Sequence, residues 1–528
     1  MSAPPRVVVV GAGMGGLAAT FALAARGVRV TLVERHDAPG GRMRQVQVAG
    51  RAFDAGPTVF TMRWVFEELF ARAGLALDEH LPLRRAELLA RHAWHASESL
   101  DLYPEVERSA AAIEAFAGAR DAAAYRRFAA RSEAMFDTLD ATFMRAPRPD
   151  PVTLGLRAGL RGLPGLLRTE PFSTLWSSLA RTFEDPRLRQ LFARYATYCG
   201  SSPFKAPATL MLIAHVERAG VWLVDGGMHA LARTLDERAR ALGADCRYGA
   251  GVARLESARG AGGRERVTGV VLESGETLAA DAVVFNGDTE ALTRGLLGER
   301  VREATAPRRE PSLSAVTSCR VARASGYELA HHTVFFGDDY VDEFDSVFAR
   351  RTMTADPTVY VCAQDRDGSA GAGAGSGATV GAAVGAAAGT GAAPANGDAR
   401  GTPGSGAAER LFALVNAPAR AHGPAGIEAA VARMDEALAR HGLVIDGEAG
   451  RAIAAPDDFA ALFPATDGAL YGRPTHGWAG SFSRPGSRSR VRGLYLAGGS
   501  VHPGAGVPMA TLSGQLAADA LAADLGLV

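Results

Sequence analysis

A glycine-rich fingerprint set between two strand patterns opens this chain and dictates how its first residues fold. Val7 to Val10 form an apolar β-branched run, the pattern of a strand buried in a parallel sheet. Gly11-Ala12-Gly13-Met14-Gly15-Gly16 follow without a spacer. Gly11 permits a tight turn, Gly13 removes the side chain that would block a pyrophosphate, and Gly16 lets the next helix lie close on the strand. Free N–H groups in the helix's first turn, at Met14 and Gly15, then face the phosphates. The helix carries Leu17, Phe21 and Leu23 among alanines and ends at Arg26-Gly27, a basic last turn with a terminal glycine. A second strand, Val28 to Val33, delivers Glu34, 18 residues past Gly16. That spacing is near the roughly 20 residues expected for a carboxylate that accepts hydrogen bonds from a ribose diol. An acid there disfavours a 2′-phosphate, which argues against NADP; NAD and FAD both fit.

The far end carries a second glycine-rich segment. Leu494 to Ala497 read as a short strand, Gly498-Gly499 end it, and the run from His502 through Val507 and Pro508 makes a rigid turn. A helical run begins near Met509, with Ala510, Leu512, Leu516, Ala520 and Leu521 on a buried face. A helix N-terminus at this point suits negative charge on a reduced ring cofactor. His502 is expected to position the turn rather than to act as an acid or base.

Glu34-Arg35 followed by Gly40-Gly41-Arg42 resembles the extended signature of the FAD-dependent amine oxidase and carotenoid desaturase superfamily. Gly40 and Gly41 allow a second close backbone approach to a cofactor, and Arg42 adds a cation near its phosphates. The resemblance extends through Phe53-Asp54-Ala55-Gly56-Pro57-Thr58 and implies FAD, with the Gly56-Pro57-Thr58 turn beside the flavin and the backbone of Val252 at the adenine. Apart from a Gly/Ala-rich insert, the whole chain resembles the phytoene desaturase and carotenoid dehydrogenase family. The stretch from Gly56 to Phe66 is most similar to the bacterial 1-hydroxycarotenoid 3,4-desaturases. Phe183-Glu184-Asp185-Pro186, Ser202-Pro203-Phe204 and Gly220-Val221-Trp222 with Gly226-Gly227-Met228 also resemble family blocks. The implied partners are an acyclic carotenoid substrate, a membrane lipid surface and an electron acceptor that the residues do not define. The implied reaction removes two hydrogens beside a polyene, one as hydride to the flavin and one as a proton. Alternatives at this stage are a phytoene or neurosporene desaturase, a flavin amine oxidase and a non-redox lipid-binding protein.

Because the cofactor motifs sit near both ends, the expected fold is α/β: a discontinuous Rossmann-type FAD-binding domain with an inserted α+β substrate domain and a helical membrane-facing subdomain. The expected parts are FAD-binding at 1–75, 225–300 and 476–528, helical at 76–224, and a substrate domain at 301–475. The last is interrupted by residues 368–408, almost entirely Gly, Ala, Ser and Thr. Such a run buries too little side chain to offset the entropy of ordering, so it reads as a disordered insert between neighbouring strands.

The 57 basic and 57 acidic residues cancel, so no global field argues for a nucleic-acid partner. Four widely spaced cysteines suit free thiols in a reducing compartment. Neither a secretory signal nor a spanning helix is expected. From Arg145 to Trp176 leucines alternate with arginines, a pattern shared by an ordinary amphipathic subdomain and a helix lying on an anionic bilayer. The expected location is peripheral, on the cytoplasmic side of the membrane. There is no G-x-S-x-G elbow and no Walker lysine. His92 and His95 lack an evident acidic or cysteine partner, so no metal is expected, and the acidic run around Tyr340 reads as a solvated loop. His215 and Glu217 interrupt an apolar run and are the candidates for substrate-hydroxyl contact or proton removal, against the alternative of a plain helix face.

Overall fold

The computed structural model describes residues 4–259, 263–366 and 407–527. Apart from its last two positions, the Gly/Ala-rich run at 368–408 lies outside them.

Five parallel strands form the first sheet, in the order Leu494–Leu496, Ala282–Phe285, Arg6–Val10, Arg29–Val33, Asp245–Arg247. Arg6–Val10 is central, which explains its valine run: alternate side chains must be buried on opposite faces. Val7 and Val9 pack towards the helix Met14–Ala24, and Val8 and Val10 towards the antiparallel sheet of Val252–Arg259, Glu265–Leu272 and Thr277–Ala279. The C-terminal helix Val507–Asp524 lies against Met14–Ala24. Their approach is close enough that a Cβ on Gly514 would stand 2.1 Å from the carbonyl oxygen of Gly15. The two glycine-rich ends of the chain are therefore in contact. Val507–Asp524 is buried well beyond one stripe, with Thr511, Ser513 and Gln515 inside and Leu516 only half-buried.

A seven-stranded sheet runs in the order Val444–Ala454, Ser314–Ser325, Glu409–Ala417, Val359–Ala363, His332–Phe335, Ala90–His95, Glu98–Leu102. Its last two strands come from the stretch expected to be mainly helical. Ala90–His95 is poor in β-formers but pairs in parallel with His332–Phe335, and an Arg91–Asp101 ion pair at 2.8 Å ties it to Glu98–Leu102. Tertiary pairing here overrides weak local preference. The strands flanking the Gly/Ala-rich run, Val359–Ala363 and Glu409–Ala417, are antiparallel neighbours with Val359 opposite Val415.

A helical layer includes Ala119–Leu139, Pro151–Arg168, Leu175–Thr182, Pro186–Ala193 and Leu212–Ala219. Its core is aromatic: Phe128 lies 5.4 Å from Phe183 and 4.7 Å from Phe192, centroid to centroid. The Phe183-Glu184-Asp185-Pro186 block is a helix start. Asp185 caps the N–H of Arg187 at 2.8 Å, and buried Asp121 accepts the N–H groups of Glu184 and Asp185. Among the described residues no helix is long and apolar enough to cross a membrane.

Candidate cofactor and substrate cavity

A cavity of about 1080 Å³ opens at the C-terminal edge of the parallel sheet, where ligands of such sheets bind. Its wall includes Gly11, Gly13, Met14, Gly15, Glu34, Arg35, Gly40, Gly41, Arg42, Gly56, Pro57, Thr58, Val252, Gly498, Gly499, Val507, Pro508 and Met509. Gly16 stands behind the wall: a Cβ there would lie 1.9 Å from the Gly11 carbonyl oxygen, the close helix–strand packing its position calls for.

The polar end is a cradle of glycine backbone. Gly11 turns with φ 98° and donates to Val33 O at 2.8 Å. Gly40 donates to Ala12 O at 2.9 Å, and a Cβ on Gly41 would come within 3.1 Å of Gly13 Cα. Gly13 begins the helix without a side-chain cap, which leaves first-turn N–H groups open to the cavity. The Glu34 carboxylate is fixed by Ala12 N–H at 2.7 Å and His36 N–H at 3.0 Å. Val252 follows a segment whose Ala250 N–H bonds Glu34 O at 2.8 Å. Arg42 is half-buried over the Phe463 ring, 4.8 Å from its centroid, and donates one bond to Ala469 O at 3.3 Å. Its Nε has no partner among the described residues. Burial lowers its pKa, and Asp288 opposes that shift.

Three residues that organise this end escape the sequence motifs. Asn286 donates to Gly11 O at 3.1 Å, and Cβ atoms on Gly13 or Gly15 would strike its amide at 3.0 and 2.6 Å. Its position just past the strand Ala282–Phe285, beside Arg6–Val10, is the signal that finds it. Arg484 holds the C-terminal turn by donating to Gly499 O at 2.6 Å and Tyr471 O at 3.1 Å, and burial lowers it to about 10. Ser500 donates to Asp288 at 3.0 Å. His502 contacts the carbonyls of Phe143 and Ala146 through Nε2 at 2.9 and 3.0 Å, burial pushes it down to about 4, and it is absent from the cavity wall. It ties the turn to the helical layer.

Beyond the cradle the cavity becomes apolar, with Phe143, Leu154, Leu166, Ile213 and finally Phe172 and Trp478 on its wall. Tyr360 lines it too, its hydroxyl 2.6 Å from Thr58 Oγ1 and 2.7 Å from His332 Nδ1. The two candidates from the interrupted apolar run part company. Glu217 is buried and on the wall, whereas His215 is off it, packed on Phe136 at 4.9 Å with Nδ1 3.1 Å from Arg218. The acidic run around Tyr340 is a solvated loop only in its first half: Asp338 and Asp339 are exposed, while Tyr340 and Glu343 are buried in a helix. Glu343 accepts from Thr358 at 2.7 Å and Asn416 at 2.8 Å.

The family model for flavin containing amine oxidoreductase matches residues 14–320. The chain is 48% identical to hydroxyneurosporene desaturase of Rubrivivax gelatinosus over 98% of this chain and 94% of that protein. It is 44% identical to the protein of that name in Cereibacter sphaeroides, over 99% and 98%. Its fold resembles an oxidoreductase of Methanosarcina mazei at TM-score 0.57 and 14% identity, covering 97% of this chain and 99% of that one. The chain therefore belongs to the flavin containing amine oxidoreductase family and, within it, to the family of the hydroxyneurosporene desaturases.

Proposed function

We propose that this protein is an FAD-dependent carotenoid desaturase that introduces the C3–C4 double bond into acyclic carotenoids bearing a 1-hydroxy or 1-methoxy end. One observation carries the reading: a single cavity joins a glycine-lined polar cradle to an apolar arm. The cradle fits a dinucleotide. Arg42 presents a half-buried, partly unpartnered guanidinium suited to a pyrophosphate, Glu34 an anchored carboxylate suited to a ribose diol, and the glycines leave no side chain in between. When bound, FAD supplies the two-electron acceptor. The protein's part is alignment and exclusion of water: the apolar arm holds a stiff polyene in one orientation, which supplies proximity without a strong acid or base.

The arm's outer mouth supports attachment to a membrane. Leu156 and Phe172 are 77% and 80% exposed, and Trp478 packs on Phe172 at 6.0 Å. Val152 adds to this apolar surface, and Arg148 and Arg157 flank it. A carotenoid dissolves in lipid, so a mouth resting on the bilayer would load it without passage through water. In this reading the helical layer is a membrane-facing subdomain and the protein sits peripherally on the cytoplasmic side, passing electrons to an acceptor partner.

The test is to offer FAD-loaded protein matched 1-hydroxy and unhydroxylated carotenoids in liposomes and to separate the products. Conversion of the hydroxylated substrate to a polyene with longer conjugation is expected. Conversion of the unhydroxylated one alone would reassign the protein as a phytoene or neurosporene desaturase, and flavin bleaching by amines would reject the carotenoid reading.

A further inference from the structure

A hydrocarbon tunnel has no use for buried ions, yet the wall of this one holds a cluster of them. Arg194 and Glu217 are 8% and 6% exposed and both line the cavity, as does Tyr198. Tyr198 links them: its hydroxyl donates to Glu217 at 2.5 Å and accepts from Arg194 at 2.9 Å. Tyr195 donates to the other carboxylate oxygen at 2.8 Å. Arg194 Nε is buried with no partner among the described residues. Taking such a pair out of water is costly and leaves any unmade hydrogen bond uncompensated. A buried carboxylate off the wall, Glu343, is satisfied by Thr358 and Asn416. Unlike Glu343, the Arg194 cluster has bonding capacity left over and a face on the cavity.

We infer that Arg194, Tyr198 and Glu217 form the subsite that grips the oxygen at the substrate's C1 and selects hydroxylated over plain polyenes, an inference that rests on the desaturase reading above. Position supports it. Tyr198 shares the cavity wall with Tyr360, whose hydroxyl bonds Thr58 in the Gly56-Pro57-Thr58 turn. In a 1-hydroxy carotenoid only C2 separates the oxygen-bearing carbon from C3, so the grip has to lie beside the reacting carbons and not at the outer mouth. Chemistry supports it as well. An arginine N–H can donate to either a hydroxyl or a methoxyl oxygen, and a carboxylate can accept from a hydroxyl.

The experiment measures kcat/KM for a 1-hydroxy carotenoid and its unhydroxylated counterpart in wild type, Tyr198→Phe and Glu217→Gln, each checked for flavin content. Wild type is expected to favour the hydroxylated substrate, and each variant to lose roughly 10- to 100-fold of that preference, the range for a bond to a charged or buried polar partner. A merely structural role would depress both substrates alike and leave the ratio unmoved. A flavin-loaded Tyr198→Phe or Glu217→Gln enzyme with the wild-type ratio overturns the subsite alone, as does a wild type without preference. Wild-type protein that converts neither carotenoid overturns the desaturase reading and the subsite with it.

Discussion

Glu34 and Arg42 bring opposite charges to the polar end of the cavity, and both are held before any ligand arrives. Because backbone amides already orient Glu34, Glu34→Ala removes a pre-placed acceptor. FAD affinity is expected to fall roughly 10- to 100-fold, the range for a lost bond to a charged group. Fluorescence titration of apoprotein with FAD measures this, and an unchanged Kd would contradict the assignment. Glu343 makes a separate prediction. Burial raises it from 4.5 to about 7, so the folded protein keeps a proton that the unfolded chain releases. The stability this contributes is present below pH 4.5 and lost as pH rises through about 7, on the order of 3 kcal/mol at most. Glu343→Gln should flatten that fall, read by urea unfolding at about pH 5 and about pH 8; equal slopes in both proteins would refute it. Glu34 was legible in the sequence because its partners lie on one local strand–helix–strand unit. Asn286, Arg484 and Glu343 were not, because their roles come from contacts distant in the chain, as when Asn286 bonds Gly11 275 positions away.

At the scale of elements, the helices Met14–Ala24 and Val507–Asp524 meet where Gly15 faces Gly514. This contact makes one site of the two chain ends. Gly514→Ala would drive a Cβ towards backbone that cannot yield as a side chain would, so a loss of about 1–3 kcal/mol or more is expected. Thermal unfolding with flavin retention reads it, and a wild-type midpoint would show that the helices can separate at no cost. Both helices were legible from their glycine turns and apolar spacing. The strand Ala90–His95 was not, because what makes it a strand is a partner, His332–Phe335, far along the chain, and Glu98–Leu102 pairs in turn on Ala90–His95. The second half of the acidic run was missed for a related reason: its composition reads as solvated, while Tyr340 and Phe344 pull that helix into the aromatic core.

Across the whole molecule, the cavity links the sheet's polar edge to an exposed apolar surface. The leucine and arginine run from Arg145 to Trp176 marked part of that surface in the sequence, but Trp478 joins it only through folding. Replacing Leu156 and Phe172 together by serine should weaken sedimentation with anionic vesicles about 10-fold or more, since each buried side chain of this size contributes about 1.5–3 kcal/mol. Undiminished binding would move the membrane contact elsewhere. The central claim, that this cavity brings a hydroxylated polyene to a flavin for desaturation, is tested most directly by anaerobic mixing of the FAD-loaded protein with a 1-hydroxy carotenoid in liposomes. Bleaching of the flavin absorbance together with a red shift of the polyene spectrum is the expected result. A flavin that stays oxidised while the polyene spectrum is unchanged would contradict it.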